Sequence, residues 1–403
     1  MTAPSLAEIV DNGLCSGCGA CVAAIDRPDL SMRMRDDGYL RPVGAVLTAP
    51  ERAILREVCP GKTLEGAADA PDYHPLWGSI RTLATGHAVD PDVRFRGSSG
   101  GVLTALAVGL VESNQVDFVV VNTASEDDPI NNRTVVCDDR VGLLNAAGSR
   151  YAPSSPLADL ERHLATGKRF AFVGKPCDVA GLGRMAKRDP RIDRQVVYRF
   201  AFFCAGVPSR RGTLAVLDAL DVDHADCTRF QYRGDGWPGL ARAQRRDGSS
   251  ESMDYNSSWG TILNRHIQFR CKICPDGTGE FADIACADAW YGKDGYPDFT
   301  ERDGRSLIVV RSARGEALYA RALAESWIQS APVDVGEIEK MQPYQAARKR
   351  NVVARIAGLF AARRAYPIFR RLALLRLALA ARKPQQVRNA AGTFKRSRGE
   401  RIA

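Results

Sequence analysis

Three cysteines within one short loop, Cys15-Ser-Gly-Cys18-Gly-Ala-Cys21, restrict what this chain can fold into more than any other feature. In the spacing C-x2-C-x2-C, three thiolates can point inward at three irons of one cube, and the intervening glycines permit the tight backbone wrap. An uninterrupted bacterial ferredoxin run would place its fourth cysteine at position 25, which is Ile25. The replacement is Cys59, followed by Pro60 and Gly61. A proline after the last ligand turns the chain away from a cluster. Zinc sites more often pair cysteines as two separate C-x2-C knuckles than as a triple run. The spacing therefore points to a [4Fe–4S] cluster held by Cys15, Cys18, Cys21 and Cys59.

Such ligands require reduced thiols. The opening MTAPSLAEIVDNG lacks the basic flank and apolar core of a secretory leader. No window of about 20 residues is apolar enough to span a bilayer. The expected address is the cytoplasm, where cysteines serve metals or catalysis rather than disulfides.

Of the eleven cysteines, four more suggest a second set. Cys271-Lys-Ile-Cys274 is a C-x2-C pair with Pro275 next, and taken alone it equally describes a redox dithiol or half a zinc knuckle. Cys177 in GKPCD and Cys204 in FFCAGVP stand at the ends of apolar strands, and equally describe ordinary buried cysteines. Together the four could close a second cube. Cys137, Cys227 and Cys286 have no partner spacing and read as structural.

Between the cysteine groups the pattern alternates. SSGGVLTALAVGLVES reads as a glycine-opened helix, VDFVVVNT as a buried strand and SPLADLERHLATG as a helix stopped at Gly167. RFAFVGKPC reads as a strand running into a turn, VVYRFAFFCAGVP and GRSLIVVRS as strands, and GEALYARALAES as a helix. The expectation is a mixed α/β (α+β) core preceded by a ferredoxin-like iron–sulfur module and followed by a basic helical tail. Residues 221–259, with FQYRGDGWPG, suggest hairpins, and the last 25 or so residues suggest a frayed end.

Charge divides the chain. From Tyr344 onward there are 16 Lys/Arg against one acid, Glu400, whereas residues 1–343 carry 40 basic and 46 acidic residues. On helices, RNVVARIAGLFAARRAYPIFRRLALLRLALAARK would show an apolar and a cationic face, suited to an anionic membrane surface or an acidic redox protein. A helical pair packed on the core with solvated arginines fits equally. Charge alone would allow nucleic acid, but no reader motif accompanies it.

In chain order, CSGCGAC, VCPG, LWGSI, RGSSGGVLTAL, GSRYAPSSPL, FVGKPCDVAGL, FFCAGVPS, CKICPDGTGEFADIACADAW and GRSLIVVRS resemble the coenzyme F420 (deazaflavin) hydrogenase/dehydrogenase beta subunits. That family includes formate dehydrogenase beta subunits and ferredoxin-dependent chlorophyll reductases. The resemblance covers residues 10–330. It implies FAD, one or two [4Fe–4S] clusters, and electron exchange with a small organic substrate or a deazaflavin coenzyme. With the tail, four regions are expected: an iron–sulfur module over 1–75, a domain over 76–165 with a flavin phosphate loop, a domain over 166–340 with the second cluster and the flavin, and the basic helical tail over 341–403. The tail lies outside the resemblance, and some members carry more N-terminal cysteines than this chain.

If FAD binds, its pyrophosphate needs backbone N–H donors and positive charge. Arg94 and Arg96 precede Ser98, Ser99, Gly100 and Gly101, where a glycine-rich turn opens a helix toward an anion. A plain N-cap by Ser98 or Ser99 is the simpler alternative. No G-x-G-x-x-G fingerprint is present. Lys175 could stabilise reduced, anionic flavin, or be a solvated turn residue. Asp283 and Asp288 could orient a ring or ribose, or cap turns. The functional expectation is an iron–sulfur flavoenzyme fed by ferredoxin or another redox protein. The alternatives are an electron-transfer subunit without its own substrate and a zinc-stabilised nucleic-acid-binding protein.

Overall fold

A computed structural model describes residues 4–293 and 296–398. Its centre is an eight-stranded mixed sheet. The strands are β1 (Thr82–Ala88), β2 (Phe118–Ala124), β3 (Asn132–Cys137), β4 (Phe170–Gly174), β5 (Val196–Phe202), β6 (Ile284–Asp288), β7 (Ser306–Val310) and β8 (Ile328–Pro332). Across the sheet the order is β8-β1-β7-β6-β5-β4-β2-β3. The inner strands β2, β4, β5 and β6 run parallel, with Val120 beside Phe172 and Phe202 beside Cys286. The flanking strands are antiparallel.

Parallel strands covered on both faces read as continuous apolar runs. Thus Phe118–Val121 is buried throughout, and so is Ser306–Val310, which is antiparallel to its neighbours but lies inside the same sheet. One face packs on helix Val102–Glu112, with Leu106 and Leu110 fully buried. The other packs on helix Pro176–Ala186 through Val179 and Leu182.

The N-terminal segment is small: helices Leu6–Asp11, Ala20–Ile25 and Ala49–Val58, and a hairpin of Ser31–Met34 with Leu40–Val43. Thr48 and Glu51 close a capping box that fixes the start of the last helix, so its C-terminus delivers Cys59. Residues 221–259 form a three-stranded antiparallel sheet of Cys227–Gln231, Ala241–Arg245 and Ser250–Met253.

Three local expectations are corrected. GKPC is not a simple turn: Pro176 opens a helix, and Cys177 sits in its first turn. Helix SPLADLERHLATG shrinks to Leu160–Leu164. The end of the chain is not frayed through its described part, because Lys383–Arg398 is a 16-residue helix. That helix lies against Val352–Ala361, so closely that a Cβ at Gly358 would collide with the Ala390 carbonyl. Close backbone approach over small residues, rather than a large apolar stripe, holds this pair, and for that reason a polar sequence concealed it. Residues 399–403, also within the expected frayed end, lie outside the described residues.

The basic tail is therefore built into the body. Ile368–Arg370 pairs in parallel with Thr63–Glu65, just after Cys59. Lys349 forms a buried ion pair with Glu280.

Candidate functional site

The carboxyl ends of the parallel strands open on one crevice, the usual place for a ligand in an open α/β sheet. A cavity of about 270 Å³ lies there. Its walls take Val121 and Asn122 from β2, Val173 and Lys175 from the end of β4, Phe202–Val207 from the end of β5 and Cys286–Asp288 from β6.

Ser98, Ser99 and Gly101 line the cavity where helix Val102–Glu112 begins, with Val102, Leu103 and Thr104 of its first turn, and no side chain caps that helix start. Gly100 does not line it. Its N–H donates to Ser306 Oγ at 2.9 Å, and a Cβ there would meet the Gly86 carbonyl at 2.6 Å. Ser98 Oγ bonds Ser149 Oγ at 2.6 Å, and Ser99 Oγ donates to the Arg305 carbonyl at 3.0 Å. Arg96 turns back to Asp92 at 2.9 Å, and Arg94 donates to the Gly304 carbonyl, so neither arginine reaches the cavity. The cations on the cavity wall are Arg150, Lys175 and Arg233.

Arg150 spends its guanidinium on the carbonyls of Phe230, Pro129 and Asn131. Arg233 is buried and bidentate to Asp288 at 2.9 and 3.0 Å, and lies 5.2 Å from the Trp290 ring centre and 4.6 Å from that of Tyr255. With Tyr151 and Trp259 these rings form an aromatic wall. Asp283 is elsewhere: it accepts from the Arg199 N–H, Ser312 and Arg314 at the start of β6, away from the cavity.

Lys175 is buried at the cavity wall. Its Nζ lies 2.8 Å from Asp178 and donates to Ser154 Oγ at 2.6 Å. Burial pulls its ammonium down, but Asp178, with the thiols of Cys177 and Cys204, outweighs that and holds the proton on.

Cys204 lines the same cavity. Its thiol is pushed up to about 12 by burial and then by Cys271, with Arg348, Cys274 and Lys175 also within electrostatic reach. Burial, and then Asp178, push the Cys177 thiol well above its ordinary value, and both Cys204 and Cys18 are within electrostatic reach of it. Gln268 Nε2 donates to Cys271 Sγ at 3.4 Å. In the first set, Cys15, Cys18, Cys21 and Cys59 line one small pocket walled by Leu6, Ile9 and Leu55. Gly19, at φ +86°, lets that loop pass within 2.6 Å of the Ala158 N–H, measured from where a Cβ would stand. Burial, then Asp178, Cys59 and Cys15, push the Cys18 thiol up to about 12.

Among the described residues, no three His, Cys, Asp or Glu side chains converge on one ion. Two gathered but spread thiol sets suit a cube, which takes one thiolate at each of four separate irons. The cavity, with a helix start, cations and aromatic faces on its wall, suits a phosphate-bearing ligand with a flat ring. Sequence patterns missed Arg150, Tyr151, Trp259 and Cys286 as cavity residues. The first two belong to GSRYAPSSPL and carried that signal; Cys286, taken as structural, faces the cavity from β6.

Family models match over both halves of the core. The model of the N-terminal part of the coenzyme F420 hydrogenase/dehydrogenase beta subunits matches residues 83–161, and the model of their C-terminal part matches 167–335. The coenzyme F420 hydrogenase subunit beta of Methanococcus voltae is 26% identical over 64% of this chain and 86% of its own length. The coenzyme F420-dependent sulfite reductase of Methanocaldococcus jannaschii is 25% identical over 87% of this chain but 52% of its own length. In fold, the chain is similar to one from the F420-reducing [NiFe] hydrogenase complex of Methanosarcina barkeri, at TM-score 0.52 and 20% identity, covering 70% of this chain and 95% of that one.

Proposed function

Because the chain belongs to the coenzyme F420 hydrogenase/dehydrogenase beta-subunit family, we propose that it is an iron–sulfur flavoprotein oxidoreductase. In this reading Cys15, Cys18, Cys21 and Cys59 hold one [4Fe–4S] cluster, Cys177, Cys204, Cys271 and Cys274 hold a second, and the cavity takes FAD. The observation that carries it is continuity. Cys177, in the first turn of its helix, is within electrostatic reach of both Cys204 and Cys18, and Cys204 is also part of the cavity wall.

A bound flavin supplies the exchange between one-electron and two-electron chemistry. The chain's residues provide the setting. The amides at Ser98, Ser99 and Gly101 receive an anionic group, Lys175 stays protonated against the cavity through Asp178, and Tyr255, Trp259 and Trp290 exclude water around a flat ring. The electron acceptor is a small organic substrate or a deazaflavin coenzyme, in line with the relatives named for coenzyme F420. The donor is ferredoxin or another acidic redox protein. Exposed arginines beside Leu375 and Leu379 give such a partner a cationic, partly apolar surface. The cytoplasm, or the inner membrane surface reached through the same residues, is the proposed location. Among the described residues no helix is long and apolar enough to cross a membrane.

Replacing Cys18 with Ser tests this reading. Iron content should fall and ferredoxin-driven flavin reduction should stop. Wild-type values for both would remove the proposed route.

A further inference from the structure

The family match ends at residue 335, and the segment beyond it crosses the second cysteine set and brings a cation to it. Arg348, in helix Pro343–Arg350, is 3% exposed. Its Nη2 donates to the Cys204 carbonyl at 2.8 Å and its Nη1 to the Ala205 carbonyl at 3.3 Å. The next residue, Lys349, has its own carboxylate in Glu280, but among the described residues Arg348 has none. Its Nη2 also donates to Gln345 Oε1, which is neutral, and the titratable groups its charge meets are Tyr344, whose ring centre is 5.4 Å away, and the thiols of Cys274, Cys204 and Cys271.

The body is shaped for this guanidinium. A Cβ on Gly277 would collide with Arg348 Nη2, so only glycine leaves it room. A buried cation without a counter-ion is strongly unfavourable. Four thiolates around a [4Fe–4S] cube carry net negative charge and would supply the missing counter-ion.

We propose that Arg348 is the counter-charge of the second cluster and holds its reduction potential up. The inference rests on the iron–sulfur reading of Cys177, Cys204, Cys271 and Cys274. Reduction adds one electron and makes the cluster more negative. A fixed positive charge beside it stabilises that form. Arg348 keeps its proton throughout, since guanidinium does not titrate in this range.

The test is a dithionite redox titration of the full-length protein, followed by electron paramagnetic resonance, with iron and sulfide counted on each sample. Arg348→Gln should lower the midpoint of one cluster by at least a tenfold shift in its equilibrium, about 59 mV for one electron. The other cluster should not move. Arg348→Lys should stay close to wild type, and Gly277→Ala, which displaces the guanidinium, should shift the same midpoint downward. If Arg348→Gln loads no second cluster while Arg348→Lys does, the dependence on charge stands. Two clusters with unmoved midpoints in Arg348→Gln would overturn the inference and leave the iron–sulfur reading intact. Equal shifts or equal iron loss in Gln and Lys variants would assign Arg348 to packing and also overturn it. Wild-type protein with iron for one cluster only would overturn the reading of the second set, and the inference with it.

Discussion

Cys15, Cys18 and Cys21 come from one loop, whereas Cys177, Cys204 and the Cys271/Cys274 pair come from three separate passages of the chain around the sheet. The first set is walled by Leu6, Ile9 and Leu55. The second is flanked by the buried cations Lys175 and Arg348 and opens on the large cavity. The first set is not without cations, since Arg184 acts on Cys59 and the buried Arg270 donates to the Pro60 carbonyl beside it. In the proposed reading place orders the sets: the first receives electrons, and the second, which meets the cavity at Cys204, passes them on.

The largest effect should come from separating the two sets. Cys18→Ser and Cys204→Ser should each remove about four irons, but only Cys204→Ser should also disturb flavin binding. Iron, sulfide and flavin assays on both variants check this. Loss of all iron from either variant would mean the sets are not independent.

Next is the tie between the body and the C-terminal helices. Lys349 and Glu280 are both almost completely buried. Lys349→Met strands the Glu280 carboxylate and should cost about 3–5 kcal/mol of stability, read as a lower midpoint in denaturant. A surface pair such as Arg191 and Glu161 would cost about 1 kcal/mol or less.

Lys175→Met removes a charged donor from the cavity wall. Flavin affinity should fall about ten- to a hundredfold, the range for a hydrogen bond to a charged group, while iron content is retained. Fluorescence titration of the flavin-free protein measures it.

The smallest effect concerns pH. Burial, and then Asp178, Cys59 and Cys15, raise the Cys18 thiol from 9.0 to about 12. In metal-free protein this contribution is fully present below about pH 9 and is lost as pH rises toward 12, because the unfolded chain releases its proton first. Metal-loaded protein already holds thiolates, so its stability should instead rise with pH up to about 9. Parallel melting curves of the two forms would separate these slopes.

How much the sequence disclosed follows the same contrast. The shared pocket of the first set was legible because three of its cysteines share one loop, and Cys59 announced itself through Pro60. Helix Val102–Glu112 and strands β2, β4, β5 and β7 followed from apolar runs bounded by glycine or polar residues. The cavity was less legible because it is made by register: Cys286 lies beside Phe202 only once β5 and β6 pair in parallel. Arg94 and Arg96 drew attention by adjacency, yet local acids and carbonyls hold them, and Arg150 and Arg233 stand on the cavity wall instead. Arg348 was hidden among the tail's many arginines, and only its depth of burial distinguishes it.

The most direct measurement is the cofactor content of protein purified without oxygen. In the proposed reading the two thiol sets and the cavity hold about eight irons, about eight sulfides and about one FAD per chain. Colourless protein whose cysteines all react freely with an alkylating reagent would contradict the account.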